Sequence, residues 1–133
     1  MSREEIIHAY RHLYRGLLHA VQFATKGRFV ARDQLRQAFR DKNATFDREA
    51  VKRTIWFVQA AARDRGLEHK ILKNLLKTHS VRHRPVPWRI RAREATIQKK
   101  PHQAAADKVT ANAFKHYDMT VAMLNKSMGL CLR

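Results

Sequence analysis

Outside one proline-bearing stretch, apolar residues recur along this chain every three or four positions, and nowhere do they alternate with polar ones in the period of two that a half-buried strand needs. That regularity restricts the chain to helices. Ser2 and Glu5 stand at capping-box spacing and start a helix at about residue 3, with Ile6, Tyr10, Leu13, Leu17, Val21 and Ala24 as its apolar stripe. The spacing predicts that it ends near Lys26-Gly27. A second, short and very basic helix follows from about Phe29 to Lys42 on Val30, Leu35, Ala38 and Phe39. Phe46 and Val51 bracket Asp47 as a hydrophobic staple around an N-cap, opening a third helix on Val51, Ile55, Val58 and Ala62 that Gly66 should stop. Leu67, Ile71, Leu72, Leu75 and Leu76 give a fourth, shorter segment, or a bent continuation of the third, ending near Thr78.

The composition changes at Ser80. All three prolines, Pro85, Pro87 and Pro101, lie between there and residue 101, and X-Pro positions disfavour helix, so Arg84 to Trp88 should be extended. Beyond it, Ala106, Val109, Ala113, Tyr117, Val121, Leu124 and Met128 return to helical spacing, and Gly129 should end that helix. The expected organisation is a helical core over residues 1–79, a basic extended arm over 80–101 and a C-terminal helix over 102–133.

Charge narrows the partners. The chain carries 28 Lys and Arg against 11 Asp and Glu, a formal net charge of +17, and both halves share the excess. Self-repulsion of that size favours a life spent against an anion: nucleic acid, an acidic protein or an anionic membrane surface. A single cysteine, Cys131, excludes an internal disulfide framework and fits a reducing compartment. No apolar run approaches the roughly 20 residues that span a bilayer. From Ile6 to Arg32 there is no Asp or Glu, while Arg11, Arg15, Lys26, Arg28 and Arg32 surround an amphipathic helix. This is the pattern of a matrix-targeting segment, here folded into the domain; a basic surface helix without a targeting role has the same pattern.

Nothing in the sequence points to catalysis or a metal. The acids are scattered and no Gly-rich phosphate loop occurs. His8 and His12 are i and i+4, but no His-Glu-x-x-His pattern occurs, and Cys131 reads as a bystander.

Leu13-Tyr14-Arg15, two to three turns into the first helix, is answered by Arg36-Gln37-Ala38-Phe39-Arg40 in the second. With the N-terminal placement, the helical register and the basic second helix, residues 3 to 78 resemble the LYR-motif family of small mitochondrial helical adaptors. The resemblance implies a three-helix core that grips an acylated acyl carrier protein without catalysing a reaction. It implies that Tyr14, Arg15, Arg36, Phe39, Arg40 and Lys42 meet the carrier. The carrier's acyl chain, on its 4'-phosphopantetheine, would lie among Leu13, Leu17, Val21, Ile55 and Val58, so that no cofactor is bound directly. Independently of the resemblance, Arg36 and Arg40 are i and i+4 on one helix face, a like-charged pair that an anion would relieve. His12 and His19 stand where many relatives are basic, a departure within helix 1.

Five arginines between Arg82 and Arg93, namely Arg82, Arg84, Arg89, Arg91 and Arg93, surround Trp88, with Lys99 and Lys100 following. Cationic forks beside a stacking ring are the ingredients of RNA contact by an extended segment; a solvated linker is the plainer reading. The whole is therefore expected to be an all-α LYR-type three-helix bundle with a fourth short helix, a basic extended arm and a C-terminal helix, in the mitochondrial matrix. Because +17 exceeds what an acidic carrier of similar size would need, the expected assembly is the mitochondrial ribosome or a precursor, with rRNA taking up the charge. A respiratory-complex or iron–sulfur assembly role is the second expectation, and a plain RNA-binding protein with an accidental triplet the third.

Overall fold

The computed structural model describes residues 2–97 and 101–133, and every regular element among them is a helix. They are α1 (Arg3–Ala20), α2 (Thr25–Arg40), α3 (Arg48–Arg63), α4 (Leu67–Arg82), α5 (Trp88–Thr96) and α6 (Pro101–Met128). Two starts follow the local chemistry read from the sequence. Ser2 accepts a hydrogen bond from the Glu5 N–H at 3.3 Å, and Asp47 accepts from the Glu49 and Ala50 N–H groups at 2.9 and 3.3 Å.

The helices close on themselves. α1 packs on α2 and α3, while α4 packs on α2 and α3 from the other side, so the order around the bundle is α1, α2, α4, α3. Leu13 and Leu17, Ala31 and Leu35, Phe57 and Val58, Leu72, Leu75 and Leu76 form the buried centre. Gly16 sets the closest approach: a Cβ built there would stand 2.9 Å from Val58 Cγ1, so the residue after the Leu-Tyr-Arg triplet lets α1 and α3 touch backbone to side chain.

Four expectations need correction. The first helix stops at Ala20, not at Lys26-Gly27, because Gln22 and Phe23 take left-handed backbone angles, φ 53° and 56°. The Phe23 N–H closes back on the Leu18 carbonyl at 3.0 Å, a helix-ending turn made without glycine. Gly27 then falls inside α2. Gly66 does not stop α3, which ends at Arg63; it is the N-terminal boundary residue of α4. The fourth helix is no short appendage: at 16 residues it equals α2 and α3 in length and supplies three buried leucines. Among its described residues the arm is irregular over 83–87 and at Ile97. Pro87 bounds α5, whose Trp88–Thr96 contains no proline and is rich in Arg and Ala, so the restriction imposed by proline acts upstream of it and not along it.

Candidate functional site

Residues from all four bundle helices face a central cavity of about 260 Å³. Leu13 and Leu17 come from α1, Leu35 and Phe39 from α2, Val51 and Val58 from α3, and Leu72, Leu75 and Leu76 from α4. One end is bounded by Ile6 and the α2–α3 connection, Asp41 to Asp47. The walls are apolar apart from Gln34 and Thr54 along the helices. Gln34 Oε1 is buried there without a hydrogen-bond partner, an acceptor that a close-packed interior would ordinarily satisfy.

The remaining side is closed by the chain's own segment 129–133. Gly129, at φ +64°, ends α6, and an added Cβ would run into the Arg53 guanidinium. The segment then turns inward, burying Leu130 and Leu132 to 7% exposure each. Asn125 grips it like a neighbouring strand, its amide donating to the Leu132 carbonyl at 2.7 Å and accepting from the Leu132 N–H at 2.9 Å. Thr54 spends its only hydroxyl proton on the Ala50 carbonyl at 2.7 Å. Its oxygen therefore accepts, from the Cys131 N–H at 3.0 Å and from the Cys131 thiol at 3.1 Å. Cys131, a free and exposed thiol, is thus hydrogen-bonded to α3. The Gln34 amide donates to the Arg133 carbonyl, and the Arg133 guanidinium pairs with Asp41 at 2.8 Å. An Asn43 N–H and Arg133 together hold the Asp41 carboxyl below the usual carboxylate range. The sequence carried a signal for this segment in its two leucines after a helix-ending glycine, which periodicity does not register in so short a piece.

Of the triplet and its partner residues, Leu13 and Phe39 line this cavity, whereas Tyr14, Arg15, Arg36, Arg40 and Lys42 do not. Tyr14 is half-buried and stacked on Tyr10 at 6.1 Å, and Tyr10 meets the edge of Phe39 at 5.4 Å, so an aromatic run leads from α1 to the cavity wall on α2. Arg15, Arg36, Arg40 and Lys42 are exposed. Among the described residues no acid lies within 4 Å of any of them. Of the five residues expected along a tunnel, Leu13, Leu17 and Val58 line the cavity. Val21 lies on the α1–α2 turn and lines a separate groove, and Ile55 is half-buried against the core outside the cavity walls.

The arm divides. Arg82, the last residue of α4, is committed within the protein: it pairs with Asp118 at 2.9 Å, donates to the Phe114 carbonyl at 3.0 Å and lies 4.5 Å above the Phe114 ring, tying α4 to α6. Arg84, Arg89, Arg91 and Arg93 are exposed, as is Trp88, whose ring Arg89 covers at 5.7 Å. Lys99 and Lys100 lie outside the described residues. Beside the junction, His79 and His83 stack at 4.2 Å, and burial followed by the His83 charge pushes His79 below its ordinary value. Among the described residues no three His, Cys, Asp or Glu side chains converge at metal-binding distance, and no helix is long and apolar enough to cross a membrane.

No protein-family profile matches the chain, and no solved structure does. Over 107 residues it is 36% identical to the UPF0593 mitochondrial protein C806.05 of Schizosaccharomyces pombe, a match that spans 78% of this chain and 84% of that protein.

Proposed function

Because the chain belongs to the UPF0593 family of mitochondrial proteins, we propose that it is a non-catalytic adaptor of the LYR type, holding acylated acyl carrier protein in the matrix and presenting it to a larger assembly. The observation that carries the reading is the apolar cavity at the centre of the bundle, edged by Phe39 on a helix whose exposed Arg36 and Arg40 lack acidic partners. An acyl chain is a suitable guest for leucine and valine walls. The carrier's carboxylates and phosphate are suitable bridges for the arginine pair. The unpaired Gln34 Oε1 fits the arm that would link the two, since phosphopantetheine offers amide N–H donors. When loaded, the carrier supplies the acylated phosphopantetheine; this chain binds and orients it and keeps water from its apolar part.

The guest must share the cavity with the 129–133 segment. Leu132 and Cys131 line the same space, so full insertion of a chain moves the segment aside. The charge left over, on Arg84, Arg89, Arg91 and Arg93 around the exposed Trp88, suits rRNA and favours a ribosomal assembly over a respiratory or iron–sulfur one. The test is co-purification from mitochondria with Arg36→Glu/Arg40→Glu. Each lost charge-assisted contact is worth roughly 1.5 to 3 kcal/mol, so carrier binding should weaken well over tenfold while helical content stays unchanged. Carrier retained at wild-type stoichiometry would overturn the reading.

A further inference from the structure

A second concavity, of about 710 Å³, runs between the α1–α2 turn and α4, on the other side of the Leu72 and Leu76 layer from the central cavity. Its apolar lining includes Val21 and Val30 together with those two leucines. Its rim is cationic: Lys26 and Arg65 at the edges and Lys70, Lys73 and Lys77 along α4, all exposed. No Asp or Glu lines it, and among the described residues none of the five cations has an acid within 4 Å. Neither the carrier reading nor the basic arm uses this face.

We infer that the groove seats an acidic amphipathic helix of a partner protein, laid alongside α4. Lys70, Lys73 and Lys77 follow one another at i, i+3 and i+7, so they form one row about 10.5 Å long on the helix surface. The complement that repeats at the same interval is another helix carrying Asp or Glu at i, i+3 and i+7, with an apolar stripe beside them to cover Val21 and Val30. An RNA strand would use the cations but leave the apolar floor wet. A bilayer surface meets convex basic faces and does not reach the floor of a groove. Because Leu72 and Leu76 form both the floor here and a wall of the central cavity, the seated helix and a guest in the cavity would press on opposite sides of one leucine layer.

The probe is a lactam-stapled helical peptide with one leucine stripe flanked by glutamates at i, i+3 and i+7. It is titrated into the full-length protein and followed by amide chemical shifts. A scrambled peptide of equal charge without the stripe, a single-stranded RNA and vesicles containing anionic phospholipid are the comparisons. The shifts should centre on Val30, Lys70, Lys73 and Lys77. Both the scrambled peptide and Lys70→Glu/Lys73→Glu/Lys77→Glu should bind roughly tenfold or more weakly, with Lys→Gln at the same positions as the milder variant should charge reversal perturb α4. Equal binding by the scrambled peptide, unchanged binding by both variants, or shifts at these residues from RNA or vesicles in place of the peptide would overturn the inference.

Discussion

Deleting residues 129–133 should leave the bundle folded and open its cavity. The segment's contacts can be weighed against the cost of holding it still. Leu130 and Leu132 are each 7% exposed, and burying a leucine contributes roughly 1.5 to 3 kcal/mol. Five neutral hydrogen bonds, three with Asn125 and one each with Thr54 and Gln34, contribute about 1 kcal/mol apiece. The gain is therefore roughly 8 to 11 kcal/mol, against roughly 5 to 10 kcal/mol for fixing five backbones. The near-cancellation means that the segment is docked yet displaceable. Guanidinium denaturation followed by circular dichroism should show a change of no more than about 2 kcal/mol on deletion. Binding of a fluorescent fatty acid, followed by its emission, should at the same time become tighter and faster. A loss above about 4 kcal/mol would make the segment an integral part of the core, and unchanged uptake of the fatty acid would mean that it does not stand in the way; either result refutes the reasoning.

Gly16→Ala should cost stability despite alanine's better helix propensity, because its methyl would press on Val58, and Gly16→Leu should cost roughly 1 to 3 kcal/mol; Val58→Ala should relieve the alanine variant, a coupling that a double-mutant cycle measures. His79 is held below its ordinary value of 6.5 with His83, Arg82, Asp33 and Asp118 around it. The unfolded chain thus takes up the proton first, so this contribution to stability is present above that value and is lost as pH falls through the lower folded one. Protection factors of the α6 amides, corrected for intrinsic exchange, should accordingly fall as pH drops below 6.5, and His79→Gln should flatten the change. Arg84, Arg89, Arg91 and Arg93 changed together to Ser should reduce the slope of log K against log salt for single-stranded RNA by roughly 2 to 3, with carrier binding unaffected; an unchanged slope would make the arm a linker. Arg82 is left in place because its removal would also loosen α6 from α4.

Much of the architecture was legible because helix periodicity and end chemistry are local. The stripes on α1 and α3 and the caps at Ser2 and Asp47 are decided within one or two turns of chain, and each was readable without knowing what lay across the bundle. The end of α1 was not, since its left-handed turn uses Gln22 and Phe23 where the eye seeks glycine. Gly66 misled for the converse reason: glycine tolerates a helix start as well as a stop, and its φ of −79° is open to any residue. In the site, Leu13, Leu17 and Val58 were legible as inward positions, whereas Val21 and Ile55 have the same chemistry and period but face other surfaces.

What the sequence determined by itself was the all-helical class and the amphipathic stripes of α1 and α3, the excess of positive charge and the helical spacing that sets Arg36 and Arg40 on one side of α2. Period and charge are properties of neighbours in the chain. Only the tertiary structure decided that α4 closes the ring, that Arg82 belongs to α6 and not to the free arm, and that Leu130 to Arg133 return across the mouth of the central cavity. Those facts depend on which surfaces meet at separations of up to 99 residues, as in Gln34 with Arg133, and hydrophobic burial is non-directional, so the residues that will be buried can be read from the chain but not the partners that will bury them.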